Sequence, residues 1–515
     1  MNHTHPSSEP EQTSATPPHG AASLAAAGRP NPDGAPIAPS PSTTTGQALP
    51  PGTAAPTPSA ELDAVAATLR RTDYGNAERL VLRHGTDLRY CEQTGSWLVW
   101  DQTRWAANAT PAAMRFAKDT ARSILREAAT LTDDSQRMAL SKHATTSERL
   151  NSLTAMLRLA ETEASIAVNV NELDADPWLL NVANGTLNLR TGHLRDHDRG
   201  DLLTRRTAVA YDPLAACPRW QQFLTEVFPD PAVIGYVQKL FGYALTGVVS
   251  DQSIILLYGE GSNGKTTLLN VLLQLAGEYG LQAAPDLLLA ERRDSHPTAM
   301  ADLQGRRPVV ASEVNEGRRF DEASVKQLTG GDVITARKMR QDYYSFVPSH
   351  TLFLAVNHLP EVRGRDHGIW RRIRPIEFPT RFDPEQRDAT LPEQLTAELP
   401  GILAWAVKGA QRWQDDGHLD PPASITTAVA TYKQSTDPLA EFIADCCTDN
   451  PAARTSREDL WNAYLNWHHH SGGSDRLTGR AFGLQLGRLG YTKTKSGTVF
   501  WNGLKLAGGY APPPF

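Results

Sequence analysis

Residues 259–266 read G-E-G-S-N-G-K-T, which places glycines, a lysine and a hydroxyl at the spacing of a triphosphate-binding loop. Glycines let successive backbone N–H groups point into one concavity, where the lysine can reach the phosphates. We therefore predict that Lys265 contacts the β- and γ-phosphates of ATP and that the Thr266 hydroxyl holds Mg²⁺. The predicted cofactor-binding residues are Gly259, Glu260, Gly261, Ser262, Asn263, Gly264, Lys265, Thr266 and Thr267.

The residues on either side of this loop predict the elements that must position it. The apolar run from Ile254 to Leu257 is typical of a short buried strand. After the loop, leucines recur at helical spacing as Leu268, Leu269 and Leu272. A strand, the loop and a helix in this order form the context that the triphosphate motif requires, and they predict an α/β fold.

Two further apolar runs lead to polar side chains that could complete the chemistry. Val309–Ala311 leads to Glu313, and Leu352–Val356 leads to Asn357. Glu313 would bind Mg²⁺ directly or through water, and either Glu313 or Glu316 could orient the attacking water. An amide both donates and accepts, so Asn357 could hydrogen-bond the γ-phosphate or that water. The predicted metal ligands are Thr266 and Glu313.

A cluster of positive charge follows on a predicted hairpin. Arg337, Lys338 and Arg340 stand close to Tyr343, so that cations could track phosphates while a ring stacks on a base. One interpretation is a binding site for single-stranded DNA, and the other is an exposed basic hairpin without a ligand. We carry both forward.

Two adjacent arginines, Arg371 and Arg372, are candidates for an arginine finger. In a ring, such a residue would act on the neighbouring subunit's nucleotide and stabilise charge in the transition state. We expect one of the two to have a structural role. The predicted catalytic residues are Lys265, Glu313, Glu316, Asn357, Arg371 and Arg372.

The order of these motifs resembles that of superfamily 3 helicases. The loop and the acidic strand are followed by L-T-G-G-D at 328–332, V-N-H-L-P at 356–360 and W-R-R-I at 370–373. More closely, the chain resembles the phage/plasmid primase family, which is related to the poxvirus primase-helicase. The hairpin sequence at 97–105 and the segment 181–189 look like that family's helicase-associated N-terminal region.

The resemblance implies a hexameric ring of AAA+-like P-loop NTPase domains that hydrolyse ATP and move 3′-to-5′ on single-stranded DNA. The implied function is ATP-dependent unwinding of duplex DNA in phage, plasmid or integrated-element replication, with a separate primase or polymerase as a partner. One departure from the family pattern concerns the acidic strand, where Val314 and Asn315 separate the two carboxylates. The assignment of the catalytic base therefore stays open between Glu313 and Glu316.

Two other functions compete with the helicase interpretation. A primase-helicase that synthesises primers would need a metal-binding acidic cluster outside the motor, and the sequence offers none that we recognise. We expect primer synthesis to be absent or supplied by another chain, because the stretch ahead of Tyr74 is too short for a primase domain. A DNA-binding regulator with a vestigial NTPase is the third interpretation, and the intact Gly-Lys-Thr argues against it.

Composition and motifs together suggest four segments. Residues 1–60 are rich in Pro, Ala, Ser and Thr and are predicted to be a disordered tail. The three segments after it are a helicase-associated N-terminal domain (61–215), a superfamily 3 helicase ATPase domain (216–415) and a winged-helix DNA-binding domain (425–508) with Arg480 on its basic face. We interpret the aromatic hairpin at 97–105 as a small core rather than a base-stacking platform.

Bulk composition narrows the remaining choices. The formal net charge is −6, so any contact with nucleic acid must come from local basic patches. The four cysteines form no C-x-x-C pair, which disfavours a zinc ribbon or a disulfide framework. No apolar run reaches the length of about 18 residues that spans a membrane. We therefore expect a cytoplasmic protein without a membrane partner.

Overall fold

The computed structural model describes residues 58–107, 109–289, 297–312, 319–337, 342–362, 367–436, 438–471 and 476–507. The predicted tail lies outside the described residues up to position 57, and its last three positions belong to a helix that begins at Pro58. None of the helices in this described part combines the length and apolar character that crossing a bilayer requires.

The N-terminal part is mainly helical and carries one small antiparallel sheet of order β1-β2-β3. Its elements are α1 (Pro58–Ala67), α2 (Asp73–His84), β1 (Leu88–Cys91), β2 (Ser96–Trp100), β3 (Trp105–Ala106), α3 (Thr110–Ala129), α4 (Asp134–Ser147) and α5 (Leu150–Ala160). The hairpin tryptophans Trp97, Trp100 and Trp105 are buried. This burial confirms that the aromatic hairpin is a small core.

A second antiparallel sheet and two helices lead to the predicted loop. The elements are β4 (Leu179–Val182), β5 (Gly185–Asn188), β6 (His193–Arg195), α6 (Pro218–Val227) and α7 (Pro231–Leu245). The strands pair in chain order, and the inward residues Leu180 and Leu187 are fully buried. Both helices begin at a proline, whose fixed φ suits the first helical turn.

A five-stranded parallel sheet of order β13-β7-β12-β9-β8 forms the centre of the chain. The elements of this part are β7 (Ile254–Tyr258), α8 (Lys265–Ala276), β8 (Leu281–Ala283), α9 (Pro297–Ala301), β9 (Pro308–Ser312), α10 (Glu322–Thr329), β10 (Ile334–Ala336), β11 (Tyr344–Phe346), β12 (Thr351–Ala355), α11 (His367–Trp370), β13 (Ile373–Glu377), α12 (Leu391–Ala397) and α13 (Leu399–Asp416).

The central strands are apolar on both faces, as parallel sheets covered on both sides require. Along β7, Ile255 and Leu257 belong to one apolar cluster, whereas Ile254 and Leu256 belong to another. The register aligns Leu257 with Ala355 of β12. The carboxyl ends of these strands therefore meet at one edge of the sheet.

Two glycines let α7 and α13 cross at backbone distance. A Cβ atom added to Gly242 would lie 2.0 Å from the backbone nitrogen of Ala410, and one added to Gly409 would lie 1.9 Å from the carbonyl oxygen of Gln238. The Gln238 side chain donates to the carbonyl oxygen of Trp405 at 2.9 Å and thereby links the two helices. This crossing attaches the helix before β7 to the long helix after β13.

The C-terminal part combines helices with a three-stranded antiparallel sheet of order β14-β16-β15. Its elements are α14 (Ala423–Ser435), α15 (Pro438–Cys446), β14 (Cys447–Ser456), α16 (Arg457–Ser471), α17 (Gly479–Arg488), β15 (Thr492–Ser496) and β16 (Thr498–Leu506). The strands β15 and β16 pair as an antiparallel hairpin that turns at Ser496 and Gly497. The strand β14 was not predicted.

His350 is buried just ahead of β12, with only 3% of its surface exposed. Neither ring nitrogen has a hydrogen-bond partner among the described residues. Burial lowers the pKa of His350 to about 4, against a smaller opposing effect of the Leu328 backbone. The folded chain therefore holds this imidazole neutral, whereas the unfolded chain protonates it near its usual pKa of about 6.5.

This difference predicts a pH-dependent loss of stability. Between pH 6.5 and 4 the unfolded state binds the extra proton, so the free energy of unfolding falls as the pH is lowered through that range. At pH 4.5 the effect amounts to about 2–3 kcal/mol for one group. Urea unfolding should show that His350→Leu loses less stability than the wild type between pH 7 and 4.5. Equal losses of stability in both proteins over this pH range would contradict the assignment of the effect to His350.

Candidate functional site

The loop between β7 and α8 is held in a shape that needs glycine. Gly264 has a φ of 92° and immediately precedes α8. A Cβ atom at this position would lie 2.9 Å from Cγ2 of Val227 and 3.2 Å from the ring of Phe223. The loop is therefore packed directly against α6, which fixes the start of α8.

Lys265 is the most enclosed charged group of the loop, with 7% of its surface exposed. Its Nζ donates to the carbonyl oxygen of Gly259 at 2.6 Å and to Oδ1 of Asn263 at 3.1 Å. It also reaches Oδ1 of Asn357 and the carbonyl oxygen of Glu260, both at 3.5 Å. Burial lowers the pKa of Lys265. The structure thus brings Lys265 and Asn357 together across two neighbouring strands.

A cavity of about 310 Å³ lies over this edge of the sheet, and we call it the phosphate cavity. It is lined by the loop residues 261–267, by Ser312 at the end of β9, and by residues 355–357 after β12. The Thr266 side chain is exposed, and Ser312 accepts a hydrogen bond from Gln282 at 3.2 Å. Backbone N–H groups, an ammonium group, hydroxyls and an amide are the donor set that suits a triphosphate.

The residues predicted to complete a magnesium site can be placed only in part. Thr266 lines the phosphate cavity, whereas Glu313 and Glu316 lie outside the described residues. Glu313 directly follows Ser312, which lines the cavity. No group of three or more His, Cys, Asp and Glu side chains in the described part of the chain could hold a metal. Of the two predicted metal ligands, the structure thus places Thr266 at the cavity, and Glu313 stays a prediction.

The two finger candidates stand at the opposite, amino edge of the sheet. The backbone of Arg372 accepts a hydrogen bond from the N–H of Ile254, the first residue of β7, at 2.9 Å. The Arg372 side chain is 8% exposed and donates to Oγ1 of Thr329 at 2.9 Å and to the carbonyl oxygen of Gly368 at 2.7 Å. Arg371 is exposed and donates to Gln252 at 2.6 Å. Arg372 therefore has the structural role, and Arg371 is available to a neighbouring molecule.

The basic hairpin is described in part. Arg337 is exposed directly after β10, and its guanidinium carbon lies 4.8 Å from the centre of the Tyr343 ring. Tyr343 is 58% exposed, whereas Tyr344 and Phe346 are buried on β11. Lys338 and Arg340 lie outside the described residues. Tyr344 and Phe346 serve the core, so Arg337 and Tyr343 are the described members of the predicted nucleic-acid surface.

Arg480 is exposed on α17, far along the chain from the other predicted DNA-binding residues. Arg488 lies two helical turns further along the same helix, and it is exposed as well. Lys493 and Lys495 are exposed on β15, and Nζ of Lys493 lies 4.7 Å from the centre of the Trp501 ring. Both α17 and β15 therefore carry exposed cationic side chains.

Sequence reasoning missed the segment that follows β13. The N–H of Phe382 donates to the carbonyl oxygen of Ser262 at 2.9 Å, and Nη2 of Arg387 donates to Oγ of Ser262 at 2.8 Å. Asn263 donates to the carbonyl oxygen of Phe378 at 3.3 Å. No periodicity or motif marks this segment. Only its contacts show that it forms a second wall of the loop.

Three family models match separate parts of the chain. The model described as D5 N terminal like matches residues 77–229, a family of unknown function matches residues 257–372, and the model described as Poxvirus D5 protein-like matches residues 434–502. The first two matches cover the N-terminal part and most of the parallel sheet. The third lies in the C-terminal part.

Similar proteins come from large DNA viruses. "Putative helicase L207/L206" of Acanthamoeba polyphaga mimivirus is 28% identical over 335 residues, which cover 59% of this chain and 35% of that protein. "Putative primase C962R" of African swine fever virus (isolate Tick/Malawi/Lil 20-1/1983) is 23% identical over 328 residues, which cover 58% of this chain and 34% of that protein. These matches thus span about a third of either relative.

A solved structure, the A form apo structure of the NrS-1 C-terminal region, is 10% identical. The structural match covers 81% of this chain and 96% of that chain, with a TM-score of 0.46.

The fold and the site define a mixed α/β protein built on a parallel sheet, compatible with the core of an NTPase. The chain carries a D5 N-terminal-like domain and a poxvirus D5-like domain. The resemblance to the primase-helicase group related to the poxvirus protein is therefore confirmed.

Substitutions of the two neighbouring arginines should affect stability to different extents. Arg372→Ala removes a buried guanidinium and leaves its acceptors without their donor, which should lower the free energy of unfolding by about 1–3 kcal/mol. Arg371→Ala alters an exposed side chain and should change it by less than about 0.5 kcal/mol. Denaturant unfolding of the two variants provides a matched comparison. Equal losses would contradict the assignment of the structural role to Arg372.

Proposed function

We propose that this chain is an ATP-dependent DNA helicase that translocates on single-stranded DNA in the replication of a phage, plasmid or integrated element. The observation that carries the proposal is the contact of Lys265 with Asn357 at 3.5 Å, at the carboxyl edge of a parallel sheet. The cation of Lys265, after β7, and the amide of Asn357, after β12, converge there beside the hydroxyl of Thr266. Such a site suits phosphoryl transfer, in which positioning and electrostatic stabilisation do most of the work.

Each residue of the site has a defined task in this proposal. Lys265 would exchange its carbonyl partners for the β- and γ-phosphates of ATP, and Asn357 would hydrogen-bond the γ-phosphate or the attacking water. Thr266 and Glu313 would hold Mg²⁺, which neutralises charge on the phosphates when it is bound. Glu313 or Glu316 would orient the attacking water.

The proposed core is an AAA+-like P-loop NTPase that works as a homo-hexamer. Arg371 supports this assembly because it is exposed at the edge opposite Lys265 and so cannot serve its own subunit's phosphates directly. In a ring it would reach the nucleotide of the next subunit. Each site would then be completed by two chains.

Two surfaces would bind DNA. The hairpin with Arg337 and Tyr343 would hold a single strand through charge and stacking. The C-terminal part would act as a winged helix, with Arg480 and Arg488 of α17 and the lysines of β15 facing the phosphates of a duplex.

A second candidate is a primase-helicase that also makes primers. The observation that favours it is the name of a relative, "Putative primase C962R". Primer synthesis needs carboxylates that hold metal ions for nucleotidyl transfer. Incubation with labelled ribonucleotides and a single-stranded template decides between the helicase and the primase-helicase. Only a primase would join the labelled ribonucleotides into a primer.

The helicase proposal predicts complementation between two inactive variants. Lys265→Ala should lower ATP hydrolysis by at least about 100-fold while leaving the fold intact, and Arg371→Ala should also be inactive in a ring. In an equal mixture that assembles at random, up to about a quarter of the sites pair an intact Lys265 with a neighbour's intact Arg371. Mixed rings should therefore hydrolyse ATP.

The matched control mixes Arg371→Ala with the double variant that lacks both Lys265 and Arg371. No subunit of that mixture supplies Arg371, so it should stay inactive. Normal hydrolysis by Lys265→Ala would overturn the mechanism, whereas absence of hydrolysis by the wild type would leave a DNA-binding protein with a vestigial site. ATP hydrolysis by rings of Arg371→Ala alone would contradict only the assignment of Arg371 as the arginine finger.

The hairpin predicts that DNA stimulation can be separated from basal hydrolysis. Arg337→Ala removes one phosphate contact, so it should weaken binding to single-stranded DNA and reduce the salt dependence of log K by about 1. Basal ATP hydrolysis should stay unchanged, whereas hydrolysis stimulated by DNA should fall. Arg158→Ala, an exposed arginine of α5, is the control. Equal losses of basal and stimulated rates would disprove the role of the hairpin.

A further inference from the structure

A second cavity, of about 270 Å³, adjoins the phosphate cavity, and we call it the side cavity. Ser262, Gly264 and Thr267 line both cavities. The loop is therefore the shared wall between them. A single molecule could therefore place an anionic group in the phosphate cavity and another group in the side cavity.

The side cavity has apolar walls from three elements. Phe223 of α6, Phe382 after β13 and Leu391 at the start of α12 line it. Phe223 is 2% exposed and stacks on Trp220 at 5.5 Å between ring centres, so its position is fixed by the core. Phe382 and Leu391 are half-buried and are free to contact a ligand. Flat apolar walls of this kind suit an aromatic heterocycle.

Polar groups surround these walls and can both donate and accept. Arg219 donates to Glu226 at 3.5 Å, and Asp388 lies 3.9 Å from the same guanidinium. Arg387 lies at the boundary with the phosphate cavity, where it donates to Ser262 at 2.8 Å. A ligand with ring nitrogens and sugar hydroxyls would find partners at this rim.

Several hydrogen bonds join the wall of the side cavity to the loop. Phe382 and Arg387 both bond Ser262, and Asn263 bonds the backbone of Phe378. Asn263 also accepts from Lys265 at 3.1 Å. The position of the ammonium group and the shape of the side cavity are thus set by the same short segment.

We infer that the side cavity binds the nucleoside part of the nucleotide, with a purine base against Phe382 and Leu391 and the ribose next to Arg387. This inference rests on the proposed function, because it assigns the phosphates to the neighbouring cavity. Phe382 and Leu391 would give the site its preference for a nucleotide over a bare polyphosphate.

The test compares two probes, ATP and inorganic tripolyphosphate, each with Mg²⁺, by isothermal titration calorimetry on the full chain. A stacked base is worth a factor of about five or more in affinity, so the wild type should prefer ATP by at least that factor. Phe382→Ala should lose most of that preference while it binds tripolyphosphate within about twofold of the wild type. Leu391→Trp fills the cavity instead of emptying it, and it should produce the same selective loss.

Tyr74→Ala is the control, because this aromatic side chain is half-exposed on α2, outside both cavities. It should keep the full preference for ATP. Equal binding of both probes by the wild type would overturn the inference while leaving a phosphate site. Equal losses of both probes in Phe382→Ala and Leu391→Trp would also overturn it, since a structural defect does not discriminate between them. Failure of both probes to bind, together with no effect of Lys265→Ala on ATP hydrolysis, would instead defeat the proposed function itself.

Discussion

The parallel pairing of β7 with β12 is the constraint on which the candidate site depends. Because the two strands run in the same direction, the loop after one and Asn357 after the other leave the sheet at the same edge. An antiparallel partner would place its carboxyl end at the opposite edge. A slip of one residue would move Asn357 by about 3.3 Å along the strand. The contact between Lys265 and Asn357 is already 3.5 Å long, so the register leaves little tolerance.

The enclosed ammonium group of Lys265 shows how the loop keeps its shape. Backbone carbonyl groups of the loop and the side chain of Asn263 supply the oxygens that a buried cation needs. Burial lowers the pKa of the lysine because desolvation disfavours its charged form. An anionic ligand would provide stronger charge compensation than these neutral dipoles. The loop is therefore preorganised for an anion.

The sequence predicts the strand and the helix on either side of the loop well, because their patterns are local. Glycines, Lys265 and Thr266 lie within eight positions, and the apolar strand and helix on either side have clear periodicities. The convergence of Asn357 on this loop could also be anticipated, since the ends of parallel strands share an edge. The described structure leaves Glu313 and Glu316 as predictions.

Other features depend on contacts that no local pattern encodes. Arg371 and Arg372 are identical in type, and only the contact of Arg372 with Thr329, 43 positions away along the chain, distinguishes them. The strand β14 escaped prediction because most of its residues are exposed and polar, so it lacks the apolar alternation of a half-buried strand. Phe382 and Arg387 gain their importance from Ser262, more than a hundred positions earlier.

The crossing of α7 and α13 has a mechanical consequence. With no side chain between Gly242 and the backbone of Ala410, the two backbones cannot be pressed closer together. Sliding one helix along the other would drive neighbouring side chains into the backbone and break the hydrogen bond from Gln238 to Trp405. We therefore expect α7 and α13 to move as one rigid body. Any displacement of the long helix would then carry the helix that precedes β7 with it.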